Sequence, residues 1–328
     1  MVNLKNLQHF FSQNSSLILQ TGAPWSKFIL LKPGDKDYES TKQLLLNHEN
    51  IKQILSLLED QEIGINSLNN NPADFRLYNS FYWTLRFLAD IGIFAEELGI
   101  NHLIQRLMLQ QSEDGQFIIR YYKKRQQEIS LICMTAHLTY CLTRLGFQNS
   151  PTTEAAIKHI ISSQRKDGGW HCKKLHQNGE RDENLPSCPA ANIHVFRLLG
   201  QFGKKYESNI SAIKDTILVS YNSTKADFCN YTSEQNINYS KLRYPPHFTG
   251  LDILNLINSL SYLPNISLKK YFNKLINNVL RRWDGMHFLC SEKRIPAWSS
   301  FDFGHNNKGS DWITAIFLSA LKRAYLKK

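Results

Sequence analysis

The chain's six cysteines and eleven histidines include one dense grouping. It runs Cys172-x-x-x-His176, then eleven residues, then Cys188-x-x-x-x-x-His194. Thiolates and imidazoles are the ligands zinc prefers, and two local pairs separated by a loop are a usual layout for it. Cys172, His176, Cys188 and His194 are therefore the zinc set, with His171 as a substitute member. The spacing is not that of a zinc finger, and a group of unpaired, half-buried thiols competes with it. His194 falls inside a predicted helix, where a buried polar role competes with ligation. Among the acids, Asp252 sits within the apolar Phe248-Thr-Gly-Leu-Asp-Ile-Leu, where burial would raise its pKa toward use as a general acid. An Asp there also suits the cap of a helix starting nearby. Asp302 lies in Trp298-Ser-Ser-Phe-Asp-Phe-Gly-His305, and Asp311 follows shortly. Asp252 and Asp302 are the expected catalytic acids. Trp83, Trp298, His305 and Trp312 are expected around a ligand, where rings stabilise a carbocation through their quadrupoles or pack as ordinary core. The run Arg120-Tyr-Tyr-Lys123-Lys124-Arg125 supplies Arg120, Lys123, Lys124 and Arg125 to an anionic head group, against the alternative of a solvated loop.

A weak repeat must position these groups. Gln164-Arg-Lys-Asp-Gly168-Gly-Trp170 is its full form, and Gln111-Ser-Glu-Asp-Gly115-Gln-Phe117 is nearly full. Asp60-Gln-Glu-Ile-Gly64 and Arg281-Arg-Trp-Asp-Gly285 are degenerate copies. A second glycine series, Gly92, Gly146 and Gly203, steps by 54 and 57 residues and closes apolar helical stretches. Glycine just past the last apolar residue is what a helix C-terminus needs. Each unit thus holds two helices. Helices are expected near 3–13, 38–47, 50–59, 79–91, 97–110, 128–145, 152–164, 189–202, 206–220, 248–262, 267–282 and 310–326. Strand-length alternation of Val, Ile and Thr is missing. Thr84–Ile91, Ala191–Leu199 and Thr249–Leu260 are apolar almost all round, whereas 97–110 and 267–282 are amphipathic. Alternating buried and half-exposed helices predict an all-α fold, an α/α toroid of about five to six helix hairpins in inner and outer rings. Residues 1–50 are expected to be a helical extension that closes the ring, and 51–328 the repeat domain.

The Gln-x-x-x-Gly-x-Trp signature followed by a new helix resembles the repeat of terpenoid cyclases and protein prenyltransferase β subunits. Asp167-Gly-Gly-Trp170-His-Cys172, then Ser187-Cys188-Pro189, is similar to small bacterial prenyltransferase/squalene-oxidase-repeat proteins, as is Lys308-Gly-Ser-Asp-Trp312-Ile-Thr314. The resemblance implies the toroid and an isoprenoid in its central cavity. The Asp-x-Asp-Asp acid of class II cyclases is missing; Asp35-Lys-Asp37 lacks the third Asp. The Asp-rich magnesium motifs of class I synthases are missing too, and Asp227-Phe-Cys229 is a lone match to the zinc spacing of prenyltransferases. The resemblance therefore leaves open whether the protein is a cyclase-like or prenyl-transferring enzyme or a non-catalytic scaffold for a lipid or protein partner. A carbohydrate-active toroid with paired carboxylates is a third reading. In a toroid, the connections 111–128, 165–188, 221–247 and 283–309 share one rim. They gather Cys172, Cys188, Cys229 and Cys290 with His171, His176, His247, His287 and His305 beside the cavity mouth.

Composition agrees with a compact chain. The 328 residues are 42% hydrophobic and 20% charged, with a formal net charge of +11; these proportions disfavour disorder. The longest apolar runs are too short to span a bilayer, and the N-terminus lacks a signal-peptide pattern, so a cytoplasmic protein is expected. The basic balance suits an amphiphile with an anionic head or peripheral contact with a membrane. No recognition motif for nucleic acid accompanies it.

Overall fold

The computed structural model describes residues 4–66, 81–123, 125–171, 187–212, 237–238, 242, 251–268, 270–290, 298, 300–301, 303–304 and 307–326. The protein is mostly helical, as expected. In chain order the helices are α1 (Leu4–Thr21), α2 (Pro24–Phe28), α3 (Tyr38–Leu46), α4 (Glu49–Asn66), α5 (Phe81–Ile91) and α6 (Asn101–Met108). A hairpin of β1 (Ile118–Lys123) and β2 (Arg125–Ser130) precedes α7 (Ile132–Leu142), α8 (Pro151–Ser162), α9 (Pro189–Leu199) and α10 (Glu207–Ser211). Then come α11 (Ile253–Leu260), α12 (Lys270–Leu280), a short pair β3 (Phe288–Leu289) and β4 (Gly309–Ser310), and α13 (Asp311–Leu321). Among the described residues no helix is long and apolar enough to cross a membrane.

The chain divides into two compact units, and the dividing point falls within α4. One comprises Met1–Ile54, Asn238–Pro246 and Leu251–Lys328; the other comprises Leu55–Ile237 and His247–Gly250. In the first, α1 packs against α13 through Ile18, Ala315 and Leu318, flanked by Phe10, Phe11, Ile29 and Leu30. This contact explains why α1 continues well past the expected 3–13. The run Asn14-Ser15-Ser16 is a weak helix former, but burying Ile18 contributes about 1.5–3 kcal/mol.

In the second unit, α5, α7 and α9 are buried at every residue. Their neighbours α6 and α8 bury one face each, through Leu103, Ile104 and Leu107 and through Ala156, Ile157 and Ile160. The alternation read from hydrophobic periodicity is therefore present. Gly92, Gly146 and Gly203 follow the three buried helices with φ of 93°, 104° and 59°. At Gly92 a side chain would also collide with the Arg144 guanidinium, which bonds to the Ala89 carbonyl at 3.1 Å.

The glutamine of the repeat is a staple. Gln111 donates both Nε2 hydrogens, one to Gly115 O at 3.0 Å and one to Thr152 O at 2.9 Å. Gln164 does the same to Gly168 O at 2.8 Å and Asn209 O at 2.7 Å. An amide nitrogen has two donors, so each glutamine closes its own turn and holds the start of the next amphipathic helix. The aromatic residue two places after the glycine is fully buried in both copies. The Phe117 and Trp170 backbone N–H groups donate to Thr135 Oγ1 on α7 at 3.2 Å and to Asn192 Oδ1 on α9 at 2.8 Å. Phe288 in the first unit does likewise to Thr314 Oγ1 on α13, at 3.0 Å. There Trp283 bridges to Phe288 where Gln111 bridges to Phe117.

Three expectations are corrected. The connection after Gly115 is not all loop: β1 and β2 pair antiparallel from Ile118↔Ser130 to Lys123↔Arg125. Ile118, Ile119, Tyr121, Tyr122 and Ile129 have the β-branched and aromatic character that strands favour, which the interspersed charged residues mask. Consequently α7 begins at Ile132, not near 128. Gly64 terminates nothing, because α4 runs through it to Asn66.

Candidate functional site

The chemistry in the second unit is concentrated where α5, α7 and α9 bury polar side chains at matching repeat positions. Trp83, His137 and His194 are separated by 54 and 57 residues, and so are Arg86, Tyr140 and Arg197. These are the steps of the helix-ending glycines. Each helix contributes residues at i and i+3, which lie on one face. The first layer is a ring stack. Trp83 meets His137 edge-on with centroids 4.5 Å apart, and His137 meets His194 edge-on at 5.2 Å. In the second layer two guanidiniums lie over the Tyr140 ring, with Arg86 Cζ 5.1 Å and Arg197 Cζ 5.8 Å from its centroid. Cation–π attraction is strongest in such desolvated settings.

Asp90, one turn beyond Arg86, ties the layer together. Its two oxygens accept from Arg86 Nε at 2.8 and 2.9 Å, and Oδ1 also accepts from the Tyr140 hydroxyl at 2.8 Å. Burial opposes the charge on Arg86, but Asp90, Tyr140 and Cys141 together outweigh it, and the pKa of Arg86 is raised. Burial, reinforced by Arg86, pushes the His137 pKa down to about 3. Burial foremost, then His137 and Arg86, puts His194 well below its usual value. Both imidazoles are therefore neutral beside the Arg86–Asp90 pair.

The hydrogen bonding is incomplete. His137 Nε2 lies 3.0 Å from the Tyr82 carbonyl oxygen. A carbonyl only accepts, so Nε2 carries the hydrogen and Nδ1 of the neutral ring is a bare lone pair. That Nδ1 is buried without a partner, as are His194 Nδ1 and Arg86 Nη1. An unsatisfied buried polar group costs about 1–3 kcal/mol. Three such nitrogens fall on α5, α7 and α9, a grouping that calls for an explanation.

Of the residues expected from sequence, Trp83 and His194 belong to this stack. Cys188 is buried at the head of α9, its N–H donating to the Trp170 carbonyl at 2.6 Å. Cys172 and His176 lie outside the described residues. Among the described residues no three His, Cys, Asp or Glu side chains are placed to share a metal ion. Arg120, Lys123 and Arg125 are on the hairpin, where Arg120 pairs in register with Glu128 and Lys123 with Arg125; Lys124 lies outside the described residues.

In the first unit Asp252 is fully buried and caps α11, its Oδ1 accepting from the Asn255 N–H at 2.8 Å. Trp298 and Trp312 are buried around Phe303, with centroid distances of 6.0 and 6.4 Å. Asp302 and His305 lie outside the described residues. Asp311 is paired with His287: Nε2 to Oδ1 is 2.8 Å, and Oδ2 accepts from the Ala23 N–H at 3.3 Å. The pair ties the α1–α2 junction to the start of α13. The hydrogen bond to Asp311 raises the His287 pKa, and the same bond lowers that of Asp311. A raised His pKa gives stability that is complete below the unfolded value of 6.5 and is lost as pH rises through the folded value. The melting temperature is therefore expected to fall across this range, with the fall reduced in His287→Gln, as thermal melts between about pH 5.5 and 8.5 would show.

Sequence reasoning missed Arg86, Asp90, His137, Tyr140 and Arg197. The signal was present: carrying the 54- and 57-residue glycine steps back along the helices superimposes the two layers. No family model matches the chain, and no curated protein matches it either. It is similar to the crystal structure of the Lin0763 protein from Listeria innocua, at 13% identity, 96% coverage of each chain and a TM-score of 0.42.

Proposed function

We propose that the chain is an α/α toroid of helix hairpins that binds an amphiphilic anion, an isoprenoid diphosphate being the expected ligand. The anionic head would sit at Arg86 and Arg197, and the apolar body would lie along the buried helices near Trp83. The observation that carries this reading is the group of partnerless nitrogens, Arg86 Nη1, His137 Nδ1 and His194 Nδ1, in a stack that also holds Arg197 against the Tyr140 ring. Guanidinium groups bind phosphate oxygens by paired, charge-assisted hydrogen bonds, and do so more strongly when desolvated. A buried pair of arginines is accordingly a strong head-group site. Two guanidiniums beside the rings also repel a carbocation, so the stack favours holding an anion over protonating an alkene. The alternating buried and amphipathic helices and the repeated glutamine staple support the toroid.

Titration calorimetry with farnesyl diphosphate, geranylgeranyl diphosphate, farnesol and pyrophosphate tests the reading. The two lipid diphosphates should bind, and farnesol should bind at least about tenfold more weakly, a difference of about 1.4 kcal/mol. Arg197→Met, which keeps a long side chain, should weaken diphosphate binding by a similar factor or more. Absence of heat with all four compounds would overturn the proposal.

A further inference from the structure

We infer that anion binding in the α5–α7–α9 stack takes up one proton, held between His137 Nδ1 and an oxygen of the ligand, so that the site selects oxyanions with an oxygen basic enough to share it. This rests on the anion-binding reading above and goes beyond it. The Tyr82 carbonyl fixes the hydrogen of His137 on Nε2. The Nδ1 lone pair is buried and unpartnered. An anionic oxygen brought against a bare lone pair is repelled, and a hydrogen between them turns repulsion into a charge-assisted hydrogen bond. Arg86 Nη1 offers a hydrogen to the same ligand, but Nδ1 has none to offer. The proton comes from solvent, no other bond is made or broken, and either the ring becomes imidazolium or the ligand oxygen gains the hydrogen.

The surroundings of His137 explain why the proton is absent beforehand. Arg86 faces it from α5, with its charge partly offset by Asp90, and the neutral His194 faces it from α9. Arg197 lies beyond Tyr140. On α7 itself Cys133 and Cys141 are buried, and burial raises the Cys141 pKa, so its thiol stays neutral. Of the charged residues on the neighbouring α8, Glu154 and Lys158 are exposed and His159 turns to Asp114 at 3.8 Å. Burial foremost, then the charge of Arg86, keeps His137 unprotonated, and an anion beside Nδ1 favours the protonated ring.

The test is calorimetry of the full chain with farnesyl diphosphate at about pH 8, where the free ligand is deprotonated, in Tris, HEPES and bicine buffers. The dependence of observed heat on buffer ionisation heat counts the protons. Wild type should take up about one, and its affinity should fall about tenfold per pH unit above about pH 8. His137→Asn places an amide N–H where Nδ1 stood; it should still bind, with no proton uptake and little pH dependence. His194→Asn should keep the uptake. Wild-type binding without proton uptake would overturn this inference and leave the anion-binding reading standing. Absence of any binding would overturn both. Uptake that survives in His137→Asn and is lost in His194→Asn would overturn the assignment to His137. The wild-type buffer series decides the proton count even if a variant fails to fold.

Discussion

Asp90→Ala is expected to destabilise the protein by about 3–5 kcal/mol, the usual cost of stripping a buried charge of its partner. Arg86 is 1% exposed, and Asp90 is its carboxylate partner in the stack. The substitution also leaves the Tyr140 hydroxyl without the acceptor it has at 2.8 Å. The expected origin of the loss can be isolated. Replacing both partners, as Arg86→Met with Asp90→Leu, should recover most of the stability, because apolar groups of similar size often substitute for a buried ion pair at little cost. The double variant should nevertheless lose ligand binding. Urea unfolding of Asp90→Ala and of the double variant would check this. A single Asp90→Ala variant as stable as wild type would mean that Arg86 finds another way to be solvated.

Trp170→Ala should cost a similar amount, about 3–5 kcal/mol for truncating a buried aromatic. The ring is fully buried, its indole N–H donates to the Ile160 carbonyl at 2.7 Å, and it packs edge-on to Phe196 at 6.3 Å. It therefore joins α8 to α9, the helix that carries His194 and Arg197. Trp170→Phe keeps most of the apolar contact and loses the indole bond, so about 1–2 kcal/mol is expected. Phe117 shows that the smaller ring is tolerated at the matching position of the preceding repeat. Thermal or denaturant unfolding would rank the two variants; equal losses would place the stapling role in the N–H bond alone.

Much of the helical pattern was legible because burial leaves a periodic trace. The helices α5, α7 and α9 are apolar nearly all round, and the glycines that follow them sit at positive φ, which sequence can signal through residue type. The Gln-x-x-x-Gly-x-aromatic repeat was legible for the same reason: each of its residues has one local job. The hairpin was not, since its strands carry Arg120, Lys123, Arg125 and Glu128, and polar residues in a strand pair give no clean alternation. The polar stack was harder still. Arg86, Asp90 and Arg197 read as surface residues by type, because a charged side chain is seldom buried unless paired. The partner that lets Arg86 be buried is local, but the ring it lies against, Tyr140, is on a helix more than fifty residues away in sequence. Asp252 illustrates the converse. Its apolar surroundings suggested an acid, and its carboxylate turned out to cap α11, a local role that the same sequence also permitted.

The proposed function requires that an anionic head group be held by the buried stack and not by the basic hairpin. Crystals grown with farnesyl thiodiphosphate test it most directly, because anomalous scattering from sulfur and phosphorus locates the head group without reference to the surrounding density. The peaks are expected beside Arg86 Nη1, with a phosphate oxygen within about 3 Å of it and Arg197 on the same ligand. Peaks over the Arg120–Arg125 hairpin, with the stack unchanged, would contradict the proposed function.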